Sequence, residues 1–173
     1  MTALAKVISG GQTGVDQAAL RAALACGLER GGWCPPGRAS EAGPIPADLP
    51  LGGTGRDRGP AAPDVPRSLR TERNVRDSDA TLVLWPSSLA PVDPGTGWTL
   101  RCAAALGRPV LVCDPFDAGA LERIARWIES RAVRTLHVAG PPESAWPGIG
   151  ARAEDVLERA FAAIGAARGS GRE

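Results

Sequence analysis

The stretch that decides the fold runs Ser9-Gly10-Gly11-Gln12-Thr13-Gly14-Val15-Asp16. It follows the apolar segment 6–9, which predicts a short strand, and it precedes a helical pattern over residues 15–26. Adjacent glycines let the backbone turn sharply and approach a ligand closely. The free N–H groups of the helix start suit a phosphate or another oxyanion. We therefore predict an anion-binding turn with contacts from Gly10, Gly11, Gln12, Thr13 and Gly14.

This stretch differs from the two common phosphate-binding motifs. It matches neither G-x-G-x-x-G nor G-x-x-x-x-G-K-[ST], and the missing Lys argues against a P-loop nucleoside triphosphatase. Thr13 and Asp16 have the spacing of a capping box, although Glu or Gln is usual at the second position. Two interpretations of Asp16 stay open, a helix cap and a ligand contact.

A second glycine-rich stretch runs Asp93-Pro94-Gly95-Thr96-Gly97-Trp98-Thr99. It follows residues 80–85, which predict a buried strand, and we predict a loop over 86–97 with a helix over 98–106. The same reasoning predicts anion contacts from Gly95, Thr96, Gly97 and Thr99. A plain turn with a helix cap is the alternative. Turns that follow parallel strands meet at one sheet edge, so the two stretches are expected to share a crevice.

The rest of the pattern predicts the fold class. Further strands are expected to end at Trp33-Cys34 and to cover 109–113 and 133–139, with helices over 68–77, 118–130 and 152–166. The last helix has an apolar stripe of Ala153, Val156, Leu157, Ala160, Phe161 and Ile164. Buried strands that alternate with helices predict an α/β protein. The expected architecture is a Rossmann-like three-layer α/β/α sandwich with a mostly parallel sheet of five or six strands.

The chain length suits one domain. The 173 residues fit a single core, which we place over residues 1–167, and the tail 168–173 is expected to fray. Residues 35–69 are rich in Pro and Gly and predict a long loop. Because long loops in compact domains are either functional or disordered, we expect 35–51 to be ordered near the site and 52–66 to be mobile.

A polar helical segment precedes the central strand. At helical spacing Arg70, Arg73 and Asn74 share one face, and Arg76 lies off it. An Arg guanidinium pairs with phosphate through two parallel hydrogen bonds. We predict that Arg70 and Asn74 contact the ligand. A solvated polar helix is the alternative.

Other polar side chains follow predicted strands. Trp33 either stacks on a flat ring of the ligand or packs in the core, and Arg38 is a candidate anion contact. Glu41 is expected to organise its loop by pairing with Arg38. His137 lies inside an apolar strand and is expected to be structural, and Glu143 is expected to hold a loop.

Composition and net charge argue against several functions. The net charge is +1 and aromatic residues make up 4%, so neither nucleic-acid nor membrane binding is indicated. Apolar runs fall short of the roughly 18 residues of a membrane helix. Four Cys without a C-x-x-C pair, and one His, argue against a zinc site. The start has no signal-peptide pattern, so we expect a cytoplasmic protein with reduced thiols.

These stretches resemble the molybdenum-cofactor carrier family. It belongs to the Rossmann-like superfamily that includes the lysine-decarboxylase-like phosphoribohydrolases, the Lonely guy enzymes. The matching stretches span nearly the whole chain, and the most specific are 9–16 and Gly31-Gly-Trp-Cys-Pro-Pro-Gly-Arg38, with 138–144 adding to them. The resemblance implies binding of the molybdenum cofactor (molybdopterin), a phosphate-bearing pterin with a dithiolene-bound metal. A phosphate or nucleotide is the alternative ligand.

The resemblance also implies an assembly and partners. It implies a homo-oligomer, a dimer or a tetramer, and partners among molybdoenzymes or cofactor-synthesis proteins. The chain departs from the family pattern at Pro142, where an Arg is usual, at Pro94, where a Gly is usual, and at Leu49, where an aromatic is usual. The lost Arg removes a phosphate contact, so the ligand is expected to bind differently or less tightly.

Comparison with the phosphoribohydrolases bears on activity. Arg70 falls at their Arg position, and Thr99 falls at the Glu of G-G-x-G-T-x-x-E. A Thr cannot act as the carboxylate that stabilises an oxocarbenium-like centre or transfers a proton. The comparison therefore favours binding over hydrolysis, and we assign no catalytic residue. Two alternatives stay open: a nucleotide-processing enzyme that uses Asp16 or Glu143, and a nucleotide-sensing domain.

Overall fold

The computed structural model describes residues 4–89 and 91–169. Five helices occur in these residues: α1 (Val15–Ala25), α2 (Ser68–Arg76), α3 (Pro94–Ala105), α4 (Ala120–Ser130) and α5 (Ile149–Gly169). The strands of the same residues are β1 (Lys6–Ile8), β2 (Glu29–Gly31), β3 (Trp33–Cys34), β4 (Ala39–Ser40), β5 (Gly43–Pro44), β6 (Gly52–Gly53), β7 (Ala80–Leu84), β8 (Val110–Cys113) and β9 (Thr135–Ala139).

The central sheet has five parallel strands in the order β2-β1-β9-β7-β8. The chain runs from β1 to the edge strand β2, crosses to β7 and β8, and returns to β9 between β1 and β7. Parallel α/β sheets bind ligands where the strand order reverses, at the carboxyl ends of the strands. The Rossmann-like α/β class and the parallel sheet predicted from the sequence are confirmed.

The two faces of the sheet have different chemistry. Helices α1, α4 and α5 cover one face and form the apolar core with side chains such as Leu82, Leu136 and Val138. The predicted stripe of α5 is buried in this core. Because successive side chains of a strand alternate between faces, Thr81 and His137 point to the opposite face, which α2 and α3 cover. On that face the described residues form a small apolar cluster around Val75 and Cys102.

The second strand ends earlier than the sequence predicted. β2 stops at Gly31, and Trp33-Cys34 pairs with Gly52-Gly53 in a separate small sheet. Gly32 makes the break, since its φ is +128° and a Cβ there would lie 2.2 Å from the Ser9 carbonyl oxygen. The prediction that Trp33-Cys34 ends the strand at the ligand edge is therefore wrong.

The predicted loop 35–69 contains short regular elements. A 3-10 turn covers Pro36–Arg38, and β4 and β5 form an antiparallel pair. The Arg38 guanidinium donates to the backbone carbonyls of Pro46, Leu49 and Leu51 and so holds the segment that follows. The mobility of 52–66 stays a prediction.

Helix α3 begins at Pro94, not at Trp98 as predicted. The Asp93 side chain accepts a hydrogen bond from the Thr96 N–H at 2.7 Å, and Pro94 occupies the first turn, where a missing N–H costs nothing. Gly95, Thr96 and Gly97 thus form the first turn of a helix and not a loop. At the other end of the chain, residues 168–169 lie within α5, and the rest of the predicted tail lies outside the described residues.

The helices were also compared with the requirements of a membrane span. Within residues 4–89 and 91–169, none is both long enough and apolar enough to cross a bilayer.

Replacing Gly32 with Ala tests the break after β2. The new Cβ meets the Ser9 backbone and the residue keeps a left-handed φ, so we expect the free energy of unfolding to fall by about 2 kcal/mol or more. Gly55→Ala is the control, because nothing lies within 4 Å of a Cβ there. Urea denaturation measures both variants. Equal midpoints for the two would contradict the assigned geometry.

Candidate functional site

A cavity of about 250 Å³ lies between the sheet and the first turns of α2 and α3, near the carboxyl ends of β7 and β9. Six of the residues predicted from the sequence line it: Gln12, Arg70, Asn74, Gly95, Thr96 and Thr99. Others come from the same elements and the loop after β9: Asp16, Pro66, Arg67, Thr71, Asp93, Pro94, His137, Ala139, Gly140 and Pro142. The two glycine-rich stretches therefore meet at one crevice.

A buried ion pair forms one wall of the cavity. Arg70 Nη1 lies 3.0 Å from Asp16 Oδ2, and the exposed fractions of the two side chains are 16% and 6%. The same Asp16 oxygen accepts the Gln12 backbone N–H at 3.2 Å. Burial raises the pKa of the Asp16 carboxyl, and the positive charge of Arg70 opposes that rise. Asp16 thus braces the glycine turn and Arg70 together.

Gly10 leaves the space that the guanidinium fills. A Cβ at Gly10 would lie 1.2 Å from Arg70 Nη1. Arg70 Nε is buried and has no hydrogen-bond partner within residues 4–89 and 91–169. A buried donor without a partner is costly unless a ligand satisfies it. The first glycine of the turn therefore lets an arginine approach the backbone, and the predicted ligand contact of Gly10 stays a prediction.

Gly11 and Gly14 are also required by packing within the protein. Their φ angles are +80° and +73°. A Cβ at Gly11 would lie 2.5 Å from a Leu51 methyl carbon, and one at Gly14 would lie 2.6 Å from the Pro141 carbonyl oxygen. Neither residue lines the cavity. Their predicted ligand contacts stay predictions, and the structure supplies a packing reason for both glycines.

Gln12 and Thr13 point in different directions. Gln12 lines the cavity, and its Oε1 accepts the backbone N–H groups of Thr13 and Glu41. The Thr13 hydroxyl donates to Glu41 and accepts the Glu143 N–H, on the far side of the turn. Glu41 also bonds Ser144, so the expected Glu41–Arg38 pairing is wrong. Hydrogen bonds from Ser144 and Thr13 lower the pKa of the Glu41 carboxyl.

Asn74 lines the cavity, and its side-chain amide also holds the Trp33 backbone. Its Oδ1 accepts the Trp33 N–H at 2.8 Å, and its Nδ2 donates to the Trp33 carbonyl at 3.0 Å. Trp33 itself lies outside the cavity, where its indole N–H donates to Asp77 and Arg73 stacks on its ring at 4.6 Å. Trp33 and Arg38 are thus not brought to the cavity.

The N-terminus of α3 is not free to bind an anion through all of its N–H groups. Asp93 places a carboxylate there and uses the Thr96 N–H, and the Thr99 hydroxyl donates to the Gly95 carbonyl. Gly97 is the one predicted residue of this stretch that does not line the cavity. The structure therefore fits the alternative given in the sequence analysis, in which this turn caps helix α3.

His137 is the polar residue whose position the sequence did not reveal. It is 3% exposed and lines the cavity, and its Nδ1 lies 3.2 Å from Thr81 Oγ1 on the neighbouring strand. Burial and the charge of Arg70 lower its pKa to about 3. Exposed Arg67 at the rim was missed as well. Thr81 and His137 are each a polar residue between apolar neighbours in a strand. This alternation was the sequence signal that both side chains point to the same face of the sheet.

Metal-binding side chains were sought across the described chain. Residues 4–89 and 91–169 hold no cluster of three or more His, Cys, Asp or Glu that could bind a metal ion. The charged residues that line the cavity are Arg67, Arg70, Asp16 and Asp93. Two arginines and two aspartates therefore balance in formal charge at the site, and Arg70 and Asp16 are paired with each other.

A five-stranded parallel sheet with helices on both faces defines a Rossmann-like α/β domain, and a crevice lies at its strand-order reversal. Residues 7–161 match the circularly permutated YpsA SLOG family, and the chain belongs to this family. A comparison with curated proteins gives no match.

A solved structure is similar over nearly the whole chain. It is the crystal structure of a putative molybdenum carrier protein from Syntrophus aciditrophicus SB, with a TM-score of 0.77 and 34% sequence identity. The similarity covers 91% of this chain and 95% of that one. The resemblance found in the sequence is thereby confirmed at the level of family and fold.

Replacing Arg70 with Met tests the ion pair. The change leaves Asp16 buried without a counter-charge, so we expect the free energy of unfolding near neutral pH to fall by about 3–5 kcal/mol. In the variant, the pKa of Asp16 is higher in the folded state than in the unfolded state. Protonation therefore stabilises the folded variant, and the loss of unfolding free energy becomes smaller as pH falls. Urea denaturation at several pH values measures both effects. Exposed Arg159→Met is the control, and a pH-independent Arg70→Met loss would contradict the assignment.

The lowered pKa of His137 gives a spectroscopic prediction. Because the chain has a single His, its imidazole signals need no assignment. A native pKa of about 3 means that the ring takes up no proton between about pH 8 and about pH 5, although a free imidazole titrates near 6.5. Proton NMR of the ring across this range checks it. A midpoint near 6.5 in the folded protein would place His137 in solvent.

Proposed function

We propose that this protein binds and carries the molybdenum cofactor, or a related phosphorylated pterin, in the cavity beside Arg70. The observation that carries the proposal is the Arg70 guanidinium, which Asp16 fixes at the cavity wall. A rigid arginine at the carboxyl edge of a parallel sheet is suited to bind a phosphate. The glycine turn is assigned the role of admitting this arginine.

The donors at the cavity suit a phosphate. Arg70 has a buried Nε that no residue of the described chain binds, and Arg67 adds a second guanidinium at the rim. Phosphate oxygens are acceptors that these groups can satisfy.

The size of the cavity limits which part of the ligand enters. Small-molecule sites span about 300–1,000 Å³, and this cavity of about 250 Å³ lies just below that range. We infer that the phosphate end enters and that the pterin lies toward the rim. Pro142 lines the cavity, so the departure from the family's Arg falls at this site.

The relatives supply the identity of the ligand. The similar protein from Syntrophus aciditrophicus is named as a molybdenum carrier, and we transfer that ligand here as a proposal. The cofactor holds its metal through its own dithiolene sulfurs, so the protein need only bind the organic part.

The proposed protein binds its ligand and does not catalyse a reaction on it. Among the described residues that line the cavity, the carboxylates are Asp16 and Asp93. Asp16 is engaged by Arg70 and Asp93 caps α3, and Thr99 stands at the Glu position of the phosphoribohydrolases. We also propose a cytoplasmic location, a homo-oligomeric assembly of two or four copies, and delivery to molybdoenzymes or cofactor-synthesis proteins.

Purification from a host that makes the molybdenum cofactor tests the proposal. We expect molybdenum, and pterin fluorescence after oxidation, to copurify with the protein. Arg70→Lys keeps the charge beside Asp16 but loses the planar fork, so we expect bound pterin to fall about tenfold or more. Arg73→Lys, on the same helix but outside the cavity, is the matched control and is expected to retain the pterin.

Other experimental results would support a different function. Release of a base from AMP or a cytokinin nucleotide, abolished by Arg70→Ala, would identify a nucleotide-processing enzyme. Tight nucleotide binding without turnover, and without pterin, would identify a nucleotide-sensing domain. Protein purified from that host without molybdenum or pterin would contradict the carrier function.

A further inference from the structure

His137 interrupts an apolar strand on the cavity side. Its neighbours Leu136 and Val138 enter the core with α1, α4 and α5, and the imidazole points the opposite way, toward α2 and α3. Thr81 lies beside it in the register of β7 and β9 and is fully buried. A buried imidazole and hydroxyl are costly in an apolar layer unless both are hydrogen-bonded.

The contact with the Thr81 hydroxyl is the basis on which the tautomer of the ring is assigned. Its proton needs an acceptor, and the acceptor within reach in the described chain is His137 Nδ1, at 3.2 Å. A neutral imidazole whose Nδ1 accepts carries its proton on Nε2. Nε2 has no protein partner within residues 4–89 and 91–169, and the ring lines the cavity. The cavity therefore receives an N–H donor.

The charges around the ring keep it neutral. Arg70 on α2 faces it with a positive charge, and Asp16 on α1 is already paired with Arg70. Burial acts in the same direction, because a charged imidazolium would lose its hydration. His137 is thus a donor whose state does not depend on pH near neutrality.

We propose that His137 recognises the ligand by donating its Nε2–H to an oxyanion oxygen, with Thr81 as the residue that positions the ring. This inference rests on the proposed function and deepens it. Arg70 and His137 both present donors to the same cavity, one charged and one neutral. The chemical class that fits is an oxyanion group with free acceptor oxygens, such as phosphate or sulfate.

The first test needs no ligand. Long-range ¹H–¹⁵N spectra of ¹⁵N-labelled protein are expected to show a protonated Nε2 and an unprotonated Nδ1. Thr81→Val removes the donor to Nδ1, so the ring is expected to shift toward the other tautomer. Thr54→Val, a buried threonine outside the cavity, is the control and should leave the tautomer unchanged. A protonated Nδ1 in the wild-type protein would overturn the proposal even if Thr81→Val fails to fold.

The second test adds inorganic phosphate or sulfate. Saturable shifts of the Nε2 signals are expected with both anions. His137→Phe should weaken phosphate binding about tenfold or more, since a hydrogen bond to a charged group is lost. His137→Gln keeps an N–H near the same position, and we expect its affinity to stay within about threefold of wild type.

The outcomes separate this proposal from the carrier function. Phosphate binding that leaves Nε2 unshifted and is unchanged in His137→Phe would overturn the role of His137 alone. If neither anion binds the wild-type protein at Arg70, the anion site of the proposed function fails and the role of His137 fails with it.

Discussion

The ion pair between Arg70 and Asp16 is the contact on which the site depends. It joins α2 to the start of α1 across the carboxyl edge of the sheet, and Gly10 is the residue that leaves room for it. Removing a buried charge's partner costs more than the pair contributes, so the two residues are fixed together. A guanidinium held this way has lost its conformational freedom before any ligand arrives, which reduces the entropy cost of binding.

The unequal faces of the sheet explain where the cavity lies. One face carries the apolar core under α1, α4 and α5, and this face stabilises the domain. The other face has Thr81, His137 and Asn74 at positions where a core would have aliphatic side chains. Polar groups buried there are satisfied by one another and by the Trp33 backbone, and they leave donors directed at the cavity. The stability of the fold and the binding site thus use different faces of the same strands.

The sequence was sufficient for the parallel fold, because buried strands and an amphipathic last helix have strong periodicity. It failed at Gly32 and Gly95. Gly32 is required by a contact with the distant Ser9 backbone, and Gly95 lies in a helix that Asp93 and Pro94 initiate, although glycine usually indicates a loop. At the site, Arg70 was predicted as a ligand contact, whereas His137 was predicted only as a structural side chain, because its position at a cavity depends on the packing of α2.

A crystal structure of the protein with bound molybdenum cofactor is the most direct test of the central claim. The account predicts density for the cofactor's phosphate within hydrogen-bond distance of the Arg70 guanidinium, with Asp16 still paired to it. Cofactor bound at another surface, for example beside Trp33 and Lys6, with an unchanged cavity at Arg70, would contradict the account.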